Sequence, residues 1–179
     1  SLDFNGLVNW FERASFESRT DQLNNRSYTN DDAWSWYRVG ESYYKTKNYE
    51  KASVCFEQAS LLAPFHLEIQ NKFGMALLKC NRLKEAQKVF EFVRSENPNF
   101  EKVYANYGYL YTILGEFDQA LIMYEKGIAL NPDIVQLWMN LAAYYLHFQN
   151  IESAQNSLSQ VLRIKPNHKR AQQLLNQIK

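Results

Sequence analysis

Arg38, Lys72, Asn106 and Asn140 follow one another at intervals of 34 residues. An amide side chain both donates and accepts, so Asn106 and Asn140 can pair with an extended peptide backbone whatever its sequence. Arg38 and Lys72 only donate, and they prefer carboxylates or carbonyl oxygens. One residue earlier in the same register stand Tyr37, Asn71 and Met139, and three residues later Glu41, Met75 and Tyr109. Of these, Tyr37, Met75, Tyr109 and Met139 offer apolar contact. This is a chemistry of holding rather than of transforming. The reactive residue types are scattered: His66, His147 and His168 form no HExxH and no cluster with carboxylates, and no GxGxxG or phosphate loop occurs. Asp31-Asp32 suits a helix start. No catalytic residue, metal site or cofactor is expected.

Composition narrows the classes further. The chain has 179 residues, with 20 Lys+Arg against 19 Asp+Glu and a net charge of +1. That balance argues against a partner held by bulk charge, so neither nucleic acid nor a membrane surface is expected. The 15% aromatic content falls mostly in packing positions, which weakens base stacking as a function. No apolar run approaches the ~20 residues that span a bilayer. A chain of this length buries roughly 70% of its unfolded surface and needs no disulfide. Cys55 and Cys80 form no CxxC pair and read as reduced packing residues, which suits a reducing compartment such as the cytoplasm. The Ser1-Leu2-Asp3 start suggests a processed or excised product.

These residues must be positioned by something periodic. Pro64, Pro98, Pro132 and Pro166 are all 34 residues apart; Gly40, Gly74, Gly108 and Ala142 keep the same phase, as do Ala52, Ala86, Ala120 and Ala154. Glycine inside a helix is tolerated where a neighbour approaches closely, so these positions are expected contact points, matched by the alanines on a second helix. Proline ends each unit because it cannot continue a helix. Between the markers, Trp36, Val39 and Tyr43, then Tyr49, Ala52, Phe56 and Ala59, recur at helical steps. Breaks at Lys47-Asn48, Asn81-Arg82, Gly115-Glu116 and Gln149-Asn150 divide every unit into two helices, Asn and Gly suiting turns or caps.

The pattern Trp36-x-x-Val39-Gly40-x-x-Tyr43, Ala52-x-x-x-Phe56, Pro64 resembles a tetratricopeptide repeat (TPR). Phe73-Gly74-x-x-Leu77, Ala86-x-x-x-Phe90, Pro98 follows it, then Tyr104-x-x-Tyr107-Gly108-x-x-Tyr111, Ala120-x-x-x-Tyr124, Pro132. The fourth unit keeps Trp138, Leu141, Tyr145, Ala154, Leu158 and Pro166, while Gln70, Ala142 and Gly127 depart from the pattern. The resemblance implies an all-α fold, a right-handed α-α superhelix of four helix-turn-helix units over 33–66, 67–100, 101–134 and 135–168. A C-terminal capping helix over 169–179 closes it. Phe4, Leu7, Phe11 and Ala14 repeat the spacing of a second helix, so 1–32 reads as a degenerate half-unit helix followed by a polar loop, or as an unrelated packing helix.

First helices line a concave face in this family, which places the ten residues of the opening register on it. The resemblance thus implies a noncatalytic scaffold that binds a peptide or protein segment there. Alternatives stay open: Arg38 and Lys72 as solvating charges or partners of Glu41 and Glu68, Asn106 and Asn140 as bonds to neighbouring helices, Tyr109 and Met75 as packing, and Trp34 as a contact of the preceding loop. The family's carboxylate clamp does not fit. Its positions hold Tyr37, Glu41, Lys72, Lys102 and Asn106, or one unit later Asn71, Met75, Asn106, Gln136 and Asn140, with a single match each time. A regulatory segment of a larger protein and self-association through array ends are the other readings.

Overall fold

The computed structural model describes residues 30–178, and every regular element among them is an α-helix. In chain order these are α1 (Asn30–Lys45), α2 (Tyr49–Leu62), α3 (Leu67–Lys79), α4 (Leu83–Glu96) and α5 (Lys102–Leu114). There follow α6 (Phe117–Leu130), α7 (Val135–His147), α8 (Ile151–Ile164) and α9 (Lys169–Gln177). The expected half-unit helix lies outside the described residues, as does nearly all of the polar loop. That loop is expected to reach residue 32, but α1 already starts at Asn30. Acidic residue types suit a first turn as well as the position before it, because the helix start favours negative charge.

Within each pair the chain reverses on one left-handed residue: Lys47 at φ 61°, Asn81 at 59°, Gly115 at 76° and Gln149 at 57°. The next amide then reaches back five residues, Asn48 to Tyr43 O, Arg82 to Leu77 O, Glu116 to Tyr111 O and Asn150 to Tyr145 O, each at 2.9 Å. These bonds close the last turn of the first helix. Asn48 and Asn150 act one step later, as N-caps accepting from the amides of Lys51 (3.4 Å) and Ser153 (3.1 Å). A left-handed non-glycine residue carries a cost, so Gln149→Gly is expected to raise stability by about 0.5–1 kcal/mol in a thermal melt. A lower melting point would show that the glutamine side chain contributes something else.

Between pairs, each proline carbonyl accepts a hydrogen bond from the side chain six residues on. Gln70 Nε2 reaches Pro64 O at 2.9 Å, Tyr104 OH reaches Pro98 O at 2.6 Å, Trp138 Nε1 reaches Pro132 O at 2.7 Å and Gln172 Nε2 reaches Pro166 O at 2.8 Å. The helix has stopped, so this carbonyl has lost its intrahelical partner. Three chemically different residues supply the same donor. Gln70, irregular by size, is therefore regular by hydrogen bonding.

The helices gather into two compact units that divide between Glu96 and Asn97, where the sequence suggests a single array. Contacts in stacked helix pairs run only to neighbours, so such a chain breaks readily into blocks. In the first unit α1 packs on α2, α2 on α3 and α3 on α4, and Trp36, Val39, Cys55, Ala59 and Ile69 form a buried cluster among the first three. In the second, α5, α6 and α7 pack on one another and α7 packs on α8. There α9 buries Ala171 against Leu158 and Val161, with Leu174, Leu175 and Ile178 half-covered.

The recurring glycines do mark close approaches, though against a different partner from the one expected. Ala52, Ala86 and Ala120 are fully buried, yet a Cβ on Gly40, Gly74 or Gly108 would collide with the ring of Phe56, Phe90 or Tyr124, one turn further along the second helix. A missing side chain makes room for a flat ring. In the fourth pair Ala142 and Leu158 share a buried cluster instead, a methyl facing a smaller aliphatic group.

Candidate functional site

The first unit carries the charged part of the candidate register on α1 and α3. Arg38 is exposed and Tyr37, Glu41, Lys72 and Met75 are half-buried. Lys72 Nζ lies 2.9 Å from Glu41 Oε1, an ion pair linking the two first helices. Its charge is spent inside the protein, so the basic character expected at this end rests on Arg38. Tyr37 sits edge-on to Trp34 at 4.9 Å between ring centres and 5.6 Å from Phe56. Burial, then the carboxylates of Glu41 and Glu68, push its phenol up to about 12. Asn71 departs from expectation: it is 3% exposed and lies at core depth, where a groove ligand does not reach it. Trp34 meets His66 edge-on at 4.8 Å and lines a shallow hollow of about 360 Å³ with Leu62 and Phe65.

In the second unit the register divides. Met139 turns toward the α7–α8 core beside Ala142 and Leu158 and leaves the expected face. Asn140 is committed at both ends, Nδ2 donating to Ala105 O at 3.0 Å and Oδ1 accepting from Gln136 Nε2 at 2.6 Å. It ties α7 to α5, the structural role left open above. Asn106 is half-buried and Tyr109 is 39% exposed.

Tyr109 and Asn140 come together at a pocket of about 300 Å³ framed by α5, α6 and α7. Thr112 and Tyr124 form part of its lining, their hydroxyls 2.9 Å apart, and Thr112 Oγ1 also donates to Gly108 O at 3.0 Å. Burial, with Tyr109 nearby, pushes the Tyr124 phenol up to about 12 against the lowering effect of the Thr112 bond. Phe117, Tyr144 and His147 complete the aromatic walls. Phe117 stacks on His147 at 4.8 Å and an interplanar angle of 25°. Burial first, then Asp118, Tyr145 and Glu125, raise the Tyr144 phenol above its ordinary value.

Several of these residues escape the sequence register. Thr112 follows Tyr109 by three residues and His147 follows Ala143 by four, so extending the same stripe by one turn would find them. Phe117 opens a second helix, and nothing on the first-helix stripe points to it. Among the described residues no group of three or more His, Cys, Asp or Glu is placed to hold a metal ion, and no helix is long and apolar enough to cross a membrane.

Known proteins agree with this geometry. Two tetratricopeptide repeat models match, over residues 33–66 and 111–178. A tetratricopeptide repeat-containing protein of Caenorhabditis elegans, trd-1, is 26% identical over 97 residues, covering 54% of this chain and 13% of its own length. The chain spans only 11% to 27% of the curated relatives it matches. The crystal structure of a thermophilic TPR protein of Thermus thermophilus superposes with a TM-score of 0.75 at 18% identity, covering 98% of this chain and 90% of that one. YrrB, described as a TPR protein with an unusual peptide-binding site, gives 0.62 at 23% identity over 93% of this chain and 84% of its own. Two models of one family, which together match more than half of the chain, make it a member of the tetratricopeptide repeat family.

Proposed function

We propose that the chain is a noncatalytic scaffold holding a peptide or protein segment on the face of its first helices. The observation that carries this reading is the pocket between α5, α6 and α7, a concavity walled by rings on a stripe that also carries exposed Tyr109. Its volume lies at the small end of the roughly 300–1,000 Å³ of ligand pockets. On the first unit, taken by itself, exposed Arg38 offers a donor for a carboxylate or a backbone carbonyl. The peptide-binding description of YrrB supports the reading by analogy of fold. A second reading, a scaffold segment within a larger polypeptide, draws on the small share of its relatives that the chain spans.

Displayed random peptides selected on the immobilised chain test the proposal. Selected peptides that dock on the first unit are expected to weaken about tenfold with Arg38→Glu, and those that dock on the second with Tyr109→Ala, while the helical signal stays unchanged. Lys72 is a poor choice for this purpose, because its reversal would set a second carboxylate against Glu41. Peptides indifferent to both substitutions would move the binding surface elsewhere.

A further inference from the structure

We infer that the pocket between α5, α6 and α7 receives the cationic side chain of a lysine or arginine carried by a basic segment. This rests on the scaffold reading and names the chemistry of what is held. Three features of the pocket point the same way. Its walls are rings, among them Phe117, Tyr144 and Tyr109, and the π-systems of such rings attract a positive charge. No lysine or arginine lines it. The charged neighbours that act on its Tyr144 wall are Asp118 and Glu125, both carboxylates, both exposed, and neither in an ion pair among the described residues.

The polar atoms behind the rings are bonded within the protein and leave the rings as the face a ligand meets. Thr112 has one hydroxyl proton, and it goes to Gly108 O. The 2.9 Å bond between the Thr112 and Tyr124 oxygens must then use the proton of Tyr124. Tyr124, 1% exposed, is thereby satisfied beneath the rings. Asn140 is occupied with Ala105 and Gln136. An ammonium or guanidinium brings positive charge to the faces of the rings and to the carboxylates of Asp118 and Glu125. An acidic side chain would meet the same carboxylates as repulsion.

The test is a nuclear magnetic resonance titration of the full chain with Nα-acetyl-lysine amide, compared with Nα-acetyl-norleucine amide, which has a side chain of similar length without charge. The lysine derivative is expected to shift the ring signals of Phe117, Tyr144 and His147 saturably, and the norleucine derivative to bind about tenfold more weakly. The surface double substitution Asp118→Asn with Glu125→Gln is expected to weaken the lysine derivative about threefold or more without altering the fold. Equal shifts from norleucine, or no pocket shift from lysine, overturn the inference. Should selected peptides respond to Arg38→Glu or to Tyr109→Ala while lysine leaves the pocket signals unmoved, the cation pocket falls and the scaffold stands. Lysine seated in the pocket of a chain that selects no peptide would keep the pocket and remove the scaffold.

Discussion

Gly127→Val is expected to destabilise the protein by about 3 kcal/mol, seen as a thermal midpoint lowered by roughly 6–12 °C in circular dichroism. Valine is the native residue in the equivalent position of two other pairs, where Val93 and Val161 are fully buried. Helix propensity also favours valine over glycine, by a few tenths of a kcal/mol. Neither consideration decides at residue 127. A Cβ there would lie 2.7 Å and 2.9 Å from the two terminal methyls of Leu137 and 2.9 Å from Cβ of Tyr104. The leucine methyls can swing aside a little. Tyr104 Cβ is one bond from the backbone, its residue is 1% exposed, and its hydroxyl is tied to Pro98 O at 2.6 Å, so it has no route of retreat. A variant that melts with the parent protein would mean that α5 and α7 do not converge on α6 as described.

Gly74→Ala, a change that usually stabilises an exposed helix by about 1 kcal/mol, is expected here to cost about 2 kcal/mol. The obstacle is the fully buried ring of Phe90, which a Cβ on residue 74 would strike. Phe90→Leu alone also destabilises, because it empties space beside the glycine. Combined, the two should cost less than their sum by about 1–2 kcal/mol, since the methyl enters the room the ring vacates. The fourth pair already carries that solution in Ala142 and Leu158. Urea denaturation of the parent, the two single variants and the double variant measures the coupling, and strict additivity would refute the pairing of glycine with ring.

Sequence and structure agree on local contacts and part over distant ones. The 34-residue spacing of the prolines announces the helix pairs, and the left-handed turn residues fall at the expected breaks. Partners are where expectation and packing differ. Ala52 and its equivalents are the expected neighbours of the glycines, whereas rings one turn further occupy that position. Gln70 departs from the expected aromatic, yet it makes the bond to proline that Tyr104 and Trp138 make. Of the candidate site, Tyr109 and Asn140 do meet in a pocket, Lys72 is engaged by Glu41, Asn71 lies inside, and Met139 joins the core. Identical spacing along the chain does not make identical surroundings, because each neighbouring helix presents different side chains.

The residues by themselves determine that this chain forms helix pairs of the tetratricopeptide kind, for both the stop signals and the apolar stripe act over a few residues and repeat at one period. Tertiary packing alone decided which polar side chains of the stripe bond one helix to another in the interior and which stand at the surface. Asn140 and Tyr109 sit on one predicted stripe, yet one is bound to a carbonyl 35 residues away and the other opens to solvent beside an aromatic pocket. Such bonds depend on the distance between helices, a quantity fixed by the volumes of side chains far apart in sequence.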